Sequence, residues 1–159
     1  MSCNTGSGSG CNSTGSTGPY AGWKQGDPAW ASITIGNTSS TIGGVGCLVT
    51  SVSMLIAKSG DDVNVDGDFN PGTFVQKLNQ VGGFQGANFV WGSVSSVAPN
   101  FQFVNKISVA GQSQQQKLST LQGLLDQGYY VVAEVKGNTG QHWVAIDGID
   151  GNTILMMDP

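Results

Sequence analysis

The chain has 159 residues, a formal net charge of −4 and only 10% charged residues, enough length for one domain with a real core. The lack of a basic stripe argues against nucleic-acid binding through phosphate neutralisation. No apolar run approaches the ~18 residues of a membrane span, and Met1-Ser-Cys-Asn carries no basic-then-apolar leader.

Residues 1–19 are nearly all Gly, Ser, Thr and Asn. Such a stretch cannot bury enough apolar surface to offset its ordering entropy, so it reads as a flexible linker. A linker implies a parent multi-domain polypeptide, with the folded domain over residues 20–159. Cys3 and Cys11 fall inside the linker. If they pair, Cys47 is left as the single free thiol of an extracellular protein; the alternative is three reduced thiols.

From Tyr20 the texture changes. Trp23 and Trp30 bracket Lys24-Gln-Gly-Asp-Pro-Ala, a turn-rich entry segment. Leu48, Val49, Val52, Leu55 and Ile56 recur at helical spacing and stop at Gly60, which predicts a buried helix starting close to Cys47. Asn70 as N-cap and Pro71 at the first helical position announce a second helix, with Phe74, Val75 and Leu78 on one face and Gly82-Gly83 at its end. Residues 85–100 carry no clear signal. Phe101, Phe103, Ile107 and Val109 alternate, which predicts a strand. Leu118, Leu121, Leu124 and Leu125 mark a third helix, closed by Gly128. The remainder, Tyr129 to Lys136, His142 to Gly148 and Asn152 to Asp158, is β. Helices first and a meandering antiparallel sheet afterwards make this an α+β chain rather than an alternating one.

Chemistry concentrates at few positions. Cys47 lies where Thr41-Ile-Gly-Gly-Val-Gly runs into the first helix, and a helix N-terminus favours a thiolate. His142, the only histidine, opens a late strand, and imidazole is the usual partner that takes a thiol proton. The last hairpin supplies a carboxylate. A three-residue loop, Ile149-Asp150-Gly151, would oppose His142 to Asp158; a two-residue Asp-Gly turn would oppose Asp158 to Trp143 instead. The first register is preferred on loop statistics, and Asp147 then points to the other face. Cys47, His142 and Asp158 thus make a candidate nucleophile, base and orienting carboxylate, with Gln25 and the Cys47 amide as oxyanion donors. Each residue alone has a plainer role: a small buried hydrophobe, a satisfied strand histidine, a turn former.

A second constellation is Asp62-Val-Asn-Val-Asp-Gly-Asp. Asp62, Asn64, Asp66 and Asp68 follow the alternate oxygen-ligand spacing of a calcium loop, with a glycine for the turn. The closing Glu is replaced by Thr73, which weakens a Ca2+ site; the alternative is a solvated acidic loop capping the second helix. No other cofactor is expected.

Five segments together, Trp23-Lys-Gln-Gly-Asp-Pro-Ala-Trp, Thr41-Ile-Gly-Gly-Val-Gly-Cys-Leu-Val-Thr-Ser, Phe69-Asn-Pro-Gly-Thr-Phe, Gln141-His-Trp-Val-Ala-Ile-Asp and Met157-Asp-Pro, resemble the C39-like branch of papain-fold cysteine peptidases. The resemblance implies an α+β papain-like fold, N-terminal helices packed on a C-terminal antiparallel sheet, and a Gln, Cys, His, Asp constellation falling on Gln25, Cys47, His142 and Asp158. The expected function is hydrolysis of peptide or amide bonds through an acyl-thioester. The linker and low charge suit a secreted, surface or phage-borne module acting on peptidoglycan peptides. Alternatives are a peptidase for double-glycine leaders, an acyl transferase with the same triad, and a non-catalytic binding module on a peptidase fold.

Overall fold

The computed structural model describes residues 18–138 and 140–159. Cys3, Cys11 and the expected linker up to residue 17 lie outside the described residues. Pro19 opens a 3-10 turn, Pro19–Gly22. Two helices follow closely, α1 (Ile42–Val45) and α2 (Cys47–Ser59), then α3 (Pro71–Gln80). A small hairpin, β1 (Phe84–Gln85) with β2 (Asn88–Phe89), leads to the short α4 (Val94–Val97) and then α5 (Gln114–Asp126). The chain closes with an antiparallel sheet of β3 (Val132–Gly137), β4 (Gly140–Asp150) and β5 (Thr153–Met157), with β4 central. This is the α+β arrangement that the helix-then-strand order predicts.

Local chemistry explains the helix limits. α2 ends at Gly60, whose φ of 71° is the left-handed cap conformation that glycine adopts without a Cβ penalty. α3 begins with a full capping box: the Asn70 side chain accepts from the amides of Gly72 and Thr73, and Thr73 Oγ1 accepts from the Asn70 amide. Pro71 at the first position costs nothing there, because its missing N–H would be unpaired anyway.

α2 is the spine of the molecule. One flank, Val49, Val52 and Ile56, packs with Phe74, Val75 and Leu78 of α3 and Val94 and Val97 of α4, in a core also holding Trp30, Ile35 and Ile42. The other flank, Met54 and Leu55, meets Ala145 of β4 and Met157 of β5. Polar contacts fix how α2 lies on β4. Ser51 Oγ donates to the Trp143 carbonyl at 3.0 Å, and further along, Lys58 Nζ reaches the carbonyl and Oδ1 of Asp147, each at 2.6 Å. Helix and strand therefore advance in the same direction, so the start of α2 lies toward the His142 end of β4.

Two sequence expectations are corrected. Residues 101–109 form no strand; Phe103 and Ile107 stand 45% and 46% exposed. Alternation describes a strand only when a ladder partner exists, and β3 and β5 are the edges of a sheet that this segment does not join. The hairpin register also differs. Asp150 pairs with Thr153, so the loop is Gly151-Asn152, with Gly151 at φ 58°. A bulge between Ile146 and Gly148 then shifts the ladder, and Ala145 pairs with Met157. The third helix forms where predicted, capped by Ser113 and Gln116, but its leucines are only half-buried.

Candidate active site

Cys47 is the first residue of α2, half-buried and a free thiol. The glycine-rich approach is itself one helical turn, α1, capped by Thr41, whose Oγ1 accepts from the Gly44 amide at 3.3 Å. Gly46 joins the two helices. A Cβ there would stand 2.4 Å from the Ile42 carbonyl oxygen, so only glycine fits the junction. Gly46 is also the N-cap of α2 and brings no side chain to it, so the first-turn amides beside the thiol have no side-chain cap. Main-chain N–H groups at such an end are donors for an anionic oxygen of a bound substrate.

His142 is the third residue of β4. Its Nε2 lies 2.6 Å from Asp158 Oδ1; the side chains are 26% and 60% exposed respectively. An ionised carboxylate only accepts, so Nε2 carries the hydrogen in this pair and the lone pair of a neutral ring resides on Nδ1. The contact forms although the ladder does not oppose these residues. Continuing past Ala145 and Met157, the ladder would set Asp158 against Val144, two residues along β4 from His142 and on the same face. The contact is thus diagonal, within reach of long side chains. Asp147, expected on the opposite face, pairs with Lys58 of α2.

Gln25 reaches the same neighbourhood from the N-terminal side. Its Nε2 donates to the Gly43 carbonyl at 3.0 Å, in the turn before Cys47, which leaves the second amide hydrogen for another acceptor. The segment is anchored by Trp30 Nε1, which donates to the Lys24 carbonyl at 2.7 Å. Lys24 Nζ in turn donates to the main-chain oxygen of Asp158. A continuous set of contacts therefore runs from the turn before Cys47 through Gln25 and Lys24 to Asp158 and His142. Sequence reasoning missed Lys24: no local pattern links residues 134 positions apart. It also missed Ser51, which holds α2 to β4.

The acidic loop behaves differently. Residues 61–65 run without regular structure, with Val63 and Val65 packed on the core and Asp62, Asn64 and Asp66 exposed on the alternate side; Asp68 is exposed as well. Thr73, at the place of a closing ligand, donates its hydroxyl to the Asp68 carbonyl as part of the α3 cap. Among the described residues no group of three or more acidic, histidine or cysteine side chains is gathered so as to hold a metal ion. Nor is any helix among them long and apolar enough to cross a membrane.

Neither the curated proteins nor the solved structures compared with this chain yielded a match. The profile of the Peptidase_C39 like family does match, over residues 24–159, a span that takes in Gln25, Cys47, His142 and Asp158. With most of its length inside that match and with its mixed helix and antiparallel-sheet architecture, the chain belongs to the Peptidase_C39 like family, a family of cysteine peptidase-type domains.

Proposed function

We propose that this domain hydrolyses peptide or amide bonds through a thioester on Cys47. The observation that carries the reading is the 2.6 Å contact between His142 Nε2 and Asp158 Oδ1, at the end of β4 toward which α2 begins. In this mechanism Nδ1 of His142 accepts the Cys47 proton as sulfur attacks the carbonyl carbon. The tetrahedral oxyanion takes hydrogen bonds from the Cys47 amide and from the Gln25 amide hydrogen not given to Gly43. Collapse expels the amine, which receives its proton from the imidazolium. Water then attacks the thioester carbonyl with His142 as base, and the carboxylic acid leaves with the thiol restored. Asp158 keeps the ring in the required tautomer and orientation.

The substrate we assign is a peptidoglycan peptide, met by a secreted, surface or phage-borne module. Support comes from the Gly/Ser/Thr-rich linker over residues 1–19 and from the low charge of the chain, which suits an extended, weakly charged substrate. Purified peptidoglycan incubated with the wild type releases free amines, and Cys47→Ala releases none above buffer. Equal release by both removes the wall-hydrolase reading. Retained wall binding without release by either would make the domain a binding module.

A further inference from the structure

A cleft lies at the far end of α2 from Cys47. It has a volume of about 310 Å³, and its lining includes Ile56, Ala57 and Val63 together with the rings of Tyr20, Trp23 and Phe69. Ala57 is ten residues past Cys47, about 15 Å along a helix rising 1.5 Å per residue. The α2 side of this cleft therefore lies well away from Cys47, although Trp23 is next in sequence to Lys24. Its rings meet at steep angles: Tyr20 and Trp23 at 75° with centroids 6.5 Å apart, Trp23 and Phe69 at 63° and 6.2 Å. Rings set this way do not stack flat on one another, and an aromatic face left open to the cleft attracts a cation.

One carboxylate, Asp61, lines the same cleft. The main-chain N–H of Asp61 is tied to Ser59 Oγ at 3.2 Å, which fixes the turn that carries it. Nearby positive charge is committed elsewhere. Lys58 is held by Asp147, and Lys24 by the main-chain oxygen of Asp158. Burial first, then Asp61 and the Tyr20 phenol, push the neighbouring Tyr130 phenol above its ordinary value.

We infer that the cleft between Tyr20, Trp23, Phe69 and Asp61 binds an organic monocation, an alkylammonium head with short apolar substituents. The aromatic walls take its carbon-bound hydrogens and Asp61 its charge. The volume admits such a head group. The site would tether the domain to a cationic group of its target while catalysis proceeds at the other end of α2.

Titration of the whole chain, followed by tryptophan fluorescence, tests this with three probes: choline, Nα-acetyl-lysine methylamide and the neutral 3,3-dimethylbutan-1-ol. Saturation by choline alone points to a quaternary head group, and saturation by the lysine amide to a peptide side chain. The neutral alcohol should bind about tenfold more weakly than the favoured cation. Asp61→Asn and Tyr20→Leu should each weaken the cation and leave the alcohol unchanged, with the alkylation rate of Cys47 at the wild-type value as a check on the fold. Absence of saturation by both cations, equal binding of the alcohol, or an unaltered cation affinity in Asp61→Asn overturns the inference.

Discussion

Replacing Asp158 separates orientation of the ring from the presence of the base. The bond it receives from His142 Nε2 is 2.6 Å long and charge-assisted, a class worth about 1.5–3 kcal/mol. Asp158 is 60% exposed, so water and salt screen the pair and set its contribution near ~1 kcal/mol. The main-chain oxygen of Asp158 stays tied to Lys24 in any side-chain variant, so the strand end keeps its place. Loss of a contact worth ~1 kcal/mol frees the ring to leave the orientation in which it takes the Cys47 proton, and the alkylation rate of Cys47 falls roughly fivefold in Asp158→Ala. Asp158→Asn keeps an acceptor for the Nε2 hydrogen but not the charge, and a neutral bond is about half as strong, so the loss is roughly twofold. His142→Ala removes the base itself and should exceed both. The assay is iodoacetamide modification at pH 6, read by mass on the Cys47 peptide so that Cys3 and Cys11 do not contribute. Alkylation of Asp158→Ala at the wild-type rate, or a His142→Ala no slower than Asp158→Asn, refutes the reasoning.

Gly46→Ala forces a methyl against the Ile42 carbonyl and should cost about 1–3 kcal/mol, read as a Tm lower by roughly 3–10 °C in calorimetry. A Tm equal to wild type would show that α1 and α2 can part at little cost. Adding Ca2+ or a chelator should leave Tm unchanged, because the exposed Asp62, Asp66 and Asp68 form no metal-holding group among the described residues; a calcium-dependent rise would show that the loop holds the ion. Tyr130 has its phenol raised chiefly by burial, so its contribution is complete below the unfolded value near 10 and is lost as pH climbs through the folded value. Urea midpoints measured from pH 8 to 11 should therefore fall less steeply in Tyr130→Phe than in the wild type, and parallel curves would contradict that.

What could be read from the sequence was what local chemistry dictates. Asn70-Pro71 and Gly60 announce helix ends through backbone rules that need no distant partner, and Val49, Val52, Leu55 and Ile56 mark the buried faces of α2 by spacing alone. The His142–Asp158 contact was anticipated through a ladder that does not form; bulge and loop each displaced the register, and the diagonal reach of the side chains recovered the pair. Residues 101–109 show the converse, since their alternation carries no information about whether a neighbouring strand exists. The short elements between Phe84 and Val97 were unreadable because two-residue strands and single helical turns leave no period to detect. Lys24 on Asp158, and Ser51 on Trp143, are consequences of the finished fold and leave no local trace.

The most direct measurement is rapid-quench intact mass spectrometry of the protein during turnover of peptidoglycan peptides, with hydroxylamine to cleave thioesters. An acyl adduct on Cys47 that hydroxylamine removes is the expected result. Accumulation of cleaved product with no adduct in the wild type, and at the same rate in Cys47→Ala, would mean that the sulfur takes no part.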